Sequence, residues 1–396
     1  MADEGAFPRK KIATKAKHLI LQEYVKAWGG IILHSMHRKR GLRPIVLGYL
    51  DTCCGGGVYE GPGDRDEIDT LGSPIIALRA LRELVALGES LGLVVEARAM
   101  LVNTSSTELE ALRRHVSREA LDGVDVVYEP GEFAAVAGKA CGFLHDHFGL
   151  VLIDPYGPSA IPFNAVFPLV SQSYNDCLVH FSTNGLKRWA GSALKAKAER
   201  TPDEEKIVEM GTAFFGTADW IETARKDRPE GKCENALVQL YRNKLEASGV
   251  RTLAVPLLFC DQNQTKYHLV FTSRNVAGLA SMKEKLQKGD LYQRQLRHRL
   301  LVDREESSKG PWLFEPEPDL SSMREVDKEA VRAAALALLN ERKRAEFQDV
   351  VAACLDLPNV LERHVRSAVT GLRKDGRVAC TQGKIKYHDV VTLVDP

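Results

Sequence analysis

Apolar positions follow two patterns along this chain, one typical of buried strands and one typical of amphipathic helices. Residues 43–50 are almost continuously apolar and lead directly into Asp51, as expected for a parallel strand that is buried on both faces. Further runs of this kind predict strands at 93–103, 124–128, 150–154 and 176–181. Two of these runs, like the first, end on or just before an acidic side chain.

Helical periodicity separates the predicted strands. Ile20, Tyr24 and Trp28 recur at helical spacing within 12–40, which predicts a first helix there. Ser73-Pro74 supplies an N-cap and a first-turn proline for a helix that continues to about Gly88. Further helices are predicted at 108–118 and 133–147. The alternation of strands and helices predicts an α/β fold with a doubly wound, Rossmann-like sheet.

The alternation of strands and helices ends after the fifth predicted strand. Residues 185–248 have the periodicity of a long helical insertion, which can build a lid or a substrate-binding face. Two strands at 250–259 and 267–272 flank the polar turn 261–264 and predict an antiparallel hairpin at the sheet edge. A closing helix is predicted at 278–288.

The last part of the chain has the composition of a linker followed by a small separate domain. Charged residues, serines and prolines between 303 and 325 indicate the linker. Three helices are then predicted at 331–339, 347–355 and 360–372, with two short strands in 377–386. This order resembles a winged helix-turn-helix. The predicted domains are 1–302 and 326–396, joined by the linker 303–325.

The charge balance excludes a polycationic protein. Lys and Arg total 54 against 53 Asp and Glu, a net charge of +1, so any nucleic-acid surface must be a local patch. Eight cysteines are scattered without a Cys-x-x-Cys pair, so neither a metal site nor a disulfide framework is expected. No apolar run matches a membrane span and the start lacks a signal-peptide layout, which predicts a soluble cytoplasmic protein.

One local basic patch lies in the predicted C-terminal domain. Residues 361–388 carry seven Lys or Arg against Glu362 and Asp375, and this excess of positive charge suits contact with the phosphates of DNA or RNA. The alternative is a protein-interaction domain with a solvated basic face. The candidate nucleic-acid-binding residues are Arg363, Arg366, Arg373, Lys374, Arg377, Lys384 and Lys386.

A glycine-rich turn after the first strand is the first candidate for chemistry. Asp51-Thr-Cys-Cys-Gly55-Gly-Gly57 lets the chain pass close to a ligand, because glycine has no Cβ. Dinucleotide folds begin a helix directly after such a turn, whereas here 15 residues intervene before Ser73. Class I methyltransferases use the same turn for S-adenosylmethionine. A purely structural turn is the alternative.

The second candidate is Asp154-Pro155-Tyr156-Gly157, which follows the fourth strand. Amino-directed nucleic-acid methyltransferases have an Asp-Pro-Pro-Tyr type motif here, in which the acid accepts hydrogen bonds from an exocyclic amine and the aromatic ring stacks on the base. Such positioning supplies most of the rate. Asp154, Pro155 and Tyr156 are therefore the predicted catalytic residues, and an aspartate that merely caps the next turn is the alternative.

Across roughly residues 12–290 the chain resembles the three-Cys-motif partner (TcmP) family of bacterial proteins. Four blocks carry the resemblance: Lys17-His18-Leu19-Ile20 with Tyr24 and Trp28; 49–59 with Gly72-Ser73-Pro74; Ile153 to Gly157; and Lys266 to Phe271 with Gly278 and Met282.

The resemblance implies a methyltransferase-like domain and two possible functions. One is S-adenosylmethionine-dependent methylation of a nucleic acid, and the other is a non-catalytic, nucleic-acid-binding adaptor for a neighbouring three-Cys-motif (radical-SAM-like) partner protein. The implied cofactor-binding residues are Asp51, Gly55, Gly57 and Asn103. Asn103 stands where the family pattern has an acid for the ribose hydroxyls, and it can both donate and accept there.

Overall fold

The computed structural model describes residues 11–39, 43–59, 70–155, 157, 161–227, 233–258, 265–310, 317–318, 320 and 325–394. Contacts divide the chain into an N-terminal unit that ends at Arg274 and a C-terminal unit that begins at Asn275.

The N-terminal unit is built around a seven-stranded sheet in the described residues. Its strands are β1 (Ile45–Asp51), β2 (Val95–Asn103), β3 (Val124–Pro130), β4 (Phe148–Ile153), β5 (Asn175–Phe181), β6 (Arg251–Leu258) and β7 (Thr265–Ser273). They lie in the order β3-β2-β1-β4-β5-β7-β6. Strands β1 to β5 are parallel, whereas β7 runs antiparallel to both β5 and β6. The mixed α/β class predicted from the sequence is confirmed.

Helices cover the sheet between these strands. They are α1 (Ile12–Arg38), α2 (Ser73–Ser90), α3 (Ser106–Val116), α4 (Phe133–Leu144), α5 (Phe163–Ser171), α6 (Thr183–Ala193), α7 (Pro202–Phe215), α8 (Asp219–Asp227) and α9 (Cys233–Glu246). Helices α6 to α9 form the predicted insertion. Across the described residues, none of the helices combines the length and apolarity that a membrane crossing requires.

An aromatic cluster joins the insertion to the sheet. Phe181 at the end of β5 contacts Phe214 of α7, whose ring stacks on Tyr241 of α9 at 5.1 Å between centroids. Trp189 and Trp220 are also fully buried in this cluster. Large rings bury much apolar surface, so the insertion is held against the carboxyl end of β5.

The C-terminal unit contains a long helix, α10 (Val276–Lys309), followed by a compact helix and strand assembly. Its other elements are α11 (Lys328–Arg342), β8 (Arg344–Glu346), α12 (Phe347–Cys354), α13 (Glu362–Lys374), β9 (Val378–Ala379) and β10 (Val390–Leu393). The strands form an antiparallel sheet in the order β8-β10-β9. Val365, Val369 and Leu372 of α13 are buried in its core.

Three features of this unit differ from the sequence prediction. Helix α10 continues well past the predicted end at 288 and extends into the predicted linker, because the charged residues beyond it are good helix formers. The segment 377–386 holds one strand, β9, and its partner is β10 further along the chain. Strand β8 is too short and too polar to be recognised from its sequence.

In the N-terminal unit, the polar turn 261–264 that was predicted between the two strands of the hairpin lies outside the described residues.

Two adjacent glycines of α1 provide a test of how this helix packs on α2. A Cβ at Gly29 would overlap the side chain of Leu84, with Cγ at 2.9 Å, whereas a Cβ at Gly30 meets no atom within 4 Å. We expect Gly29→Ala to lower the free energy of unfolding by about 1–3 kcal/mol through overpacking. Gly30→Ala should instead raise it by up to about 1 kcal/mol through helix propensity. Urea denaturation measures both, and equal effects would contradict this packing.

Candidate functional site

The sheet has a topological switch point between β1 and β4. Strand β1 pairs with β2 on one side and with β4 on the other, so the strand order reverses between β1 and β4. Open α/β sheets bind ligands in the crevice outside the carboxyl ends of the strands at such a switch point. Asp51 ends β1 and Asp154 follows β4, so both acidic side chains lie at this edge.

Asp51 is buried and organises the turn that follows β1. Its carboxylate accepts hydrogen bonds from Ser73 Oγ at 2.8 Å, from Tyr49 Oη at 3.3 Å and from the backbone N–H of Cys53 at 3.3 Å. Burial raises the pKa of Asp51 to about 6; the Ser73 hydrogen bond opposes this rise and the nearby Asp154 charge adds to it. The side chain thus links the end of β1 to the first residue of α2.

The glycine-rich turn is closed by its own packing. Gly57 has φ of +92°, and a Cβ there would lie 2.7 Å from Leu112 Cδ1. Its carbonyl accepts a hydrogen bond from the N–H of Gly72 at 2.7 Å, and a Cβ on Gly72 would lie 2.9 Å from that carbonyl oxygen. Glycine is therefore required at position 57 by the positive φ and at position 72 by the close approach of the Gly57 backbone.

The side-chain amide of Asn103 forms its hydrogen bonds with other groups of the protein. Its Nδ2 donates to the carbonyl of Cys54 and, at 2.7 Å, to Glu108 Oε2, while its Oδ1 accepts from the N–H of Ser105 at 2.8 Å. Asn103 therefore ties the glycine-rich turn to the turn after β2. The charged acceptor at this position is Glu108, the third residue of α3, which the sequence analysis did not select.

Asp154 lies between a lysine and a histidine. Lys17 Nζ of α1 forms an ion pair with Asp154 Oδ2, and His180 Nδ1 of β5 lies 2.8 Å from Oδ1. Burial by itself would raise the pKa of Asp154, but the Lys17 charge and the His180 contact outweigh it and hold the pKa well below its usual range. The carboxylate is therefore ionised, and each of its oxygens has a protein contact.

His180 is placed by strand register. Ile153 of β4 pairs with Val179 of β5, so the next residues of the two strands, Asp154 and His180, stand side by side. The imidazole meets the Tyr267 ring edge-on at 4.1 Å between centroids. Tyr267 Oη donates to the carbonyl of Ala13 at 2.7 Å and so fixes α1 beside the site.

Of the predicted cofactor residues, Asp51, Gly55 and Gly57 belong to β1 and the turn that follows it, and Asn103 at the end of β2 is joined to that turn through its hydrogen bond to Cys54. Pro155 is buried directly after Asp154, whereas Tyr156 lies outside the described residues. Lys17 and His180 were missed by sequence reasoning. A signal existed for both, because Lys17 is a charged residue on the apolar stripe of α1 and His180 is a polar residue near the end of a buried strand.

The adjacent cysteines of the turn behave as neutral packing groups. Burial raises the pKa of Cys53 to about 12 and that of Cys54 further still. Because the thiolate is the nucleophilic form, neither side chain has the electrostatic environment of a reactive cysteine.

The predicted basic residues of the C-terminal unit fall into two groups. Arg366 is used internally: it pairs with Glu362, donates to the carbonyl of Ile385 and covers the Phe347 ring at 4.8 Å. Arg373 donates to the carbonyl of Thr381 at 2.6 Å. The remaining five are exposed, namely Arg363, Lys374, Arg377, Lys384 and Lys386.

Comparisons with known proteins give the following picture. No protein-family model matches the chain, and no curated protein matches it. Among solved structures, it is similar to an S-adenosylhomocysteine-bound methyltransferase from Podospora anserina (10% identity, TM-score 0.28, covering 62% of this chain and 78% of that one). It is also similar to a possible exported protein from Bordetella parapertussis (14%, 0.26, 62% and 66%) and to a loganic acid methyltransferase bound to S-adenosylhomocysteine (13%, 0.26, 98% and 97%).

Strand order and direction define the class of the N-terminal unit. Five parallel strands with a central reversal, flanked by helices and closed by the antiparallel β7 and β6, form a doubly wound, Rossmann-like α/β domain. The polar side chains of Asp51, Asp154, His180 and Lys17 meet at its switch point.

Proposed function

We propose that the protein is an S-adenosylmethionine-dependent methyltransferase that acts on an exocyclic amine of a nucleic-acid base. The observation that supports this most strongly is the meeting of the Asp51 turn and the Asp154 cluster at the switch point. A donor cofactor held by the first would face an acceptor held by the second, and holding two reactants in contact provides a large share of catalysis. The antiparallel β7 at the sheet edge agrees with the methyltransferase arrangement.

The residues of the Asp51 turn fit this cofactor. The half-buried Glu108 carboxylate beside Asn103 would accept hydrogen bonds from ribose hydroxyls, which is a charge-assisted interaction. Asp51 would act indirectly, by holding the turn against α2 through Ser73. Gly57 and Gly72 would keep the turn narrow. When bound, the cofactor supplies an activated methyl group, and this chain positions the acceptor.

Cofactor binding is best tested at Glu108. We expect Glu108→Gln to weaken the affinity for S-adenosylmethionine and S-adenosylhomocysteine about tenfold, because a charged acceptor becomes neutral while the contact to Asn103 is retained. Calorimetric titration measures this, with Glu110→Gln, an exposed carboxylate of the same helix, as the matched control. Absence of saturable binding by the unmodified protein would refute the methyltransferase proposal. Gly57→Arg is less suitable as a test, because it would disturb the packing against Leu112.

For the C-terminal unit we propose a winged helix-turn-helix that binds nucleic acid. The order α11-β8-α12-α13-β9-β10 with a three-stranded antiparallel sheet supports this fold. Exposed Lys374 is the last residue of α13, exposed Arg377 follows that helix, and Lys384 and Lys386 lie between β9 and β10. Positive charges on one helix end and one wing suit phosphate contacts.

Salt dependence tests this second proposal. We expect Arg377→Ala with Lys384→Ala to reduce the slope of log affinity against log salt concentration by about 2 for duplex DNA, because two phosphate contacts are lost. Lys328→Ala with Arg342→Ala removes the same charge from exposed positions on α11 and should leave the slope unchanged. Equal effects of the two double variants would count against a defined basic surface.

The same surface also supports the second candidate function, a non-catalytic adaptor. Such an adaptor needs salt-dependent binding to DNA or RNA and contact with a three-Cys-motif partner protein, but no cofactor. Polymer binding without S-adenosylmethionine binding would favour the adaptor over the enzyme. Failure of both bindings would remove both candidates.

A further inference from the structure

The contacts of Asp154 change the role that its motif suggests. In the predicted mechanism this carboxylate accepts hydrogen bonds directly from the substrate amine. In the structure Oδ2 is paired with Lys17 and Oδ1 lies 2.8 Å from His180 Nδ1, and the Asp154 side chain is only 17% exposed. An amine that approached the carboxylate would have to displace one of these charged or polar partners.

The imidazole of His180 has a nitrogen that can accept a proton, whereas both carboxylate oxygens of Asp154 already contact protein groups. Neither ring nitrogen makes an aligned hydrogen bond, and Nε2 is covered from solvent without a partner in the described part of the chain. A buried polar atom without a partner is unfavourable, and such an atom at the carboxyl edge of the sheet calls for an explanation. When Nδ1 carries the proton and faces Asp154, the lone pair of Nε2 is left as a proton acceptor beside Asp154.

The geometry points to His180 as the proton acceptor of the reaction, with Asp154 and Lys17 as positioning residues that act through it. This inference rests on the proposed methyltransferase function and assigns the base within the same site. Histidine commonly fills this role, and a buried carboxylate beside its other nitrogen stabilises the imidazolium that forms.

The proton and electron balance is complete with the groups named. The lone pair of the exocyclic amine forms the new N–C bond, and the electron pair of the broken C–S bond remains on sulfur. The amine nitrogen then releases one proton to Nε2 of His180, which becomes an imidazolium beside the ionised Asp154. The proton leaves to solvent when the product dissociates, so no oxidant or other reactant is required.

The imidazole and its carboxylate neighbour are surrounded by groups from three other segments. Asp154 lies on the β4 side, the Tyr267 ring lies on the β7 side, and Lys17 reaches Asp154 from α1. Asp51 interacts with Asp154 through its charge. The ionised carboxylate beside Nδ1 favours the tautomer that carries its proton there.

The first experiment determines the histidine tautomers of the unliganded protein by nitrogen-15 NMR, with His180→Gln used to assign the signal. We expect the neutral ring of His180 to carry its proton on Nδ1, and we expect Asp154→Asn to reduce the fraction of that tautomer. A neutral ring protonated on Nε2 would overturn the inference, and so would a tautomer fraction unchanged in Asp154→Asn. These outcomes do not depend on cofactor binding, so they are separable from failure of the proposed function.

The second experiment measures methyl transfer from labelled S-adenosylmethionine to unfractionated tRNA and to sheared duplex DNA. We expect His180→Gln to lower the rate at least a hundredfold and to leave the affinity for S-adenosylhomocysteine within threefold. His145→Gln, at an exposed histidine after α4, is the control. A His180→Gln rate within threefold of the unmodified protein would refute the assignment of His180.

Discussion

Lys17→Met is expected to lower the free energy of unfolding by about 3–5 kcal/mol at pH 7. Lys17 Nζ pairs with Asp154, and the two side chains are 8% and 17% exposed. Removing one partner of a buried ion pair leaves the other charge uncompensated in a poorly solvated place. Methionine retains the apolar part of the lysine side chain, so the effect reports mainly on the lost charge. Urea denaturation at neutral pH measures it.

A pair on the same helix provides the control. Lys26 pairs with Glu83, but both side chains are well exposed, so Lys26→Met should cost less than about 1 kcal/mol. The double variant Lys17→Met with Asp154→Asn should recover part of the loss, because no unpaired charge remains. A Lys17→Met effect as small as that of Lys26→Met would show that Asp154 is solvated.

The pH dependence gives this experiment a second readout. The pKa of Asp154 is lowered in the folded state, so its contribution to stability is present above its unfolded pKa of about 4 and is lost as the pH falls below it. Without Lys17 this advantage is absent. The difference between Lys17→Met and the unmodified protein should therefore shrink below about pH 4.

The second large effect is expected at Asp176, at the opposite end of β5 from the candidate site. Asp176 is buried and accepts a hydrogen bond from Tyr24 Oη at 2.7 Å. Burial raises its pKa to about 6, against opposing hydrogen bonds from Ser273 and Tyr24. The folded protein therefore retains a proton that the unfolded chain releases, so this stabilisation is complete below about pH 4 and is lost as the pH rises through 6.

Asp176→Asn should remove this dependence. Relative to the unmodified protein, the free energy of unfolding of the variant should rise by about 2–3 kcal/mol between pH 4 and pH 7, because a shift of one pKa unit corresponds to about 1.4 kcal/mol. Urea denaturation at the two pH values measures the difference. Asp125→Asn, at an exposed position of β3, is the control and should show no such change. Parallel pH curves for Asp176→Asn and the unmodified protein would contradict the buried position of Asp176.

The strand pattern was sufficient to predict the α/β class and the positions of β1 to β5. Uninterrupted apolar runs are characteristic of strands buried on both faces. The turn after Asp51 is recognisable because glycine adopts backbone conformations that other residues avoid. Asp51 and Asp154 could be selected because a polar residue at the end of such a run lies at the sheet edge.

The partners of these side chains could be identified only from the tertiary structure. Lys17 meets Asp154 across 137 residues of sequence, and His180 meets it through the register of β4 and β5. Asn103 has a suitable side chain for a ligand, but its hydrogen bonds are used by Cys54, Glu108 and Ser105. Sequence patterns report local periodicity and backbone demands, whereas the partner of a polar group depends on which distant segments the fold brings into contact. The sequence by itself determined the helices, the strands and the polar residues at the carboxyl edge of the sheet, and the packing of α1, β4 and β5 determined which groups surround Asp154 there.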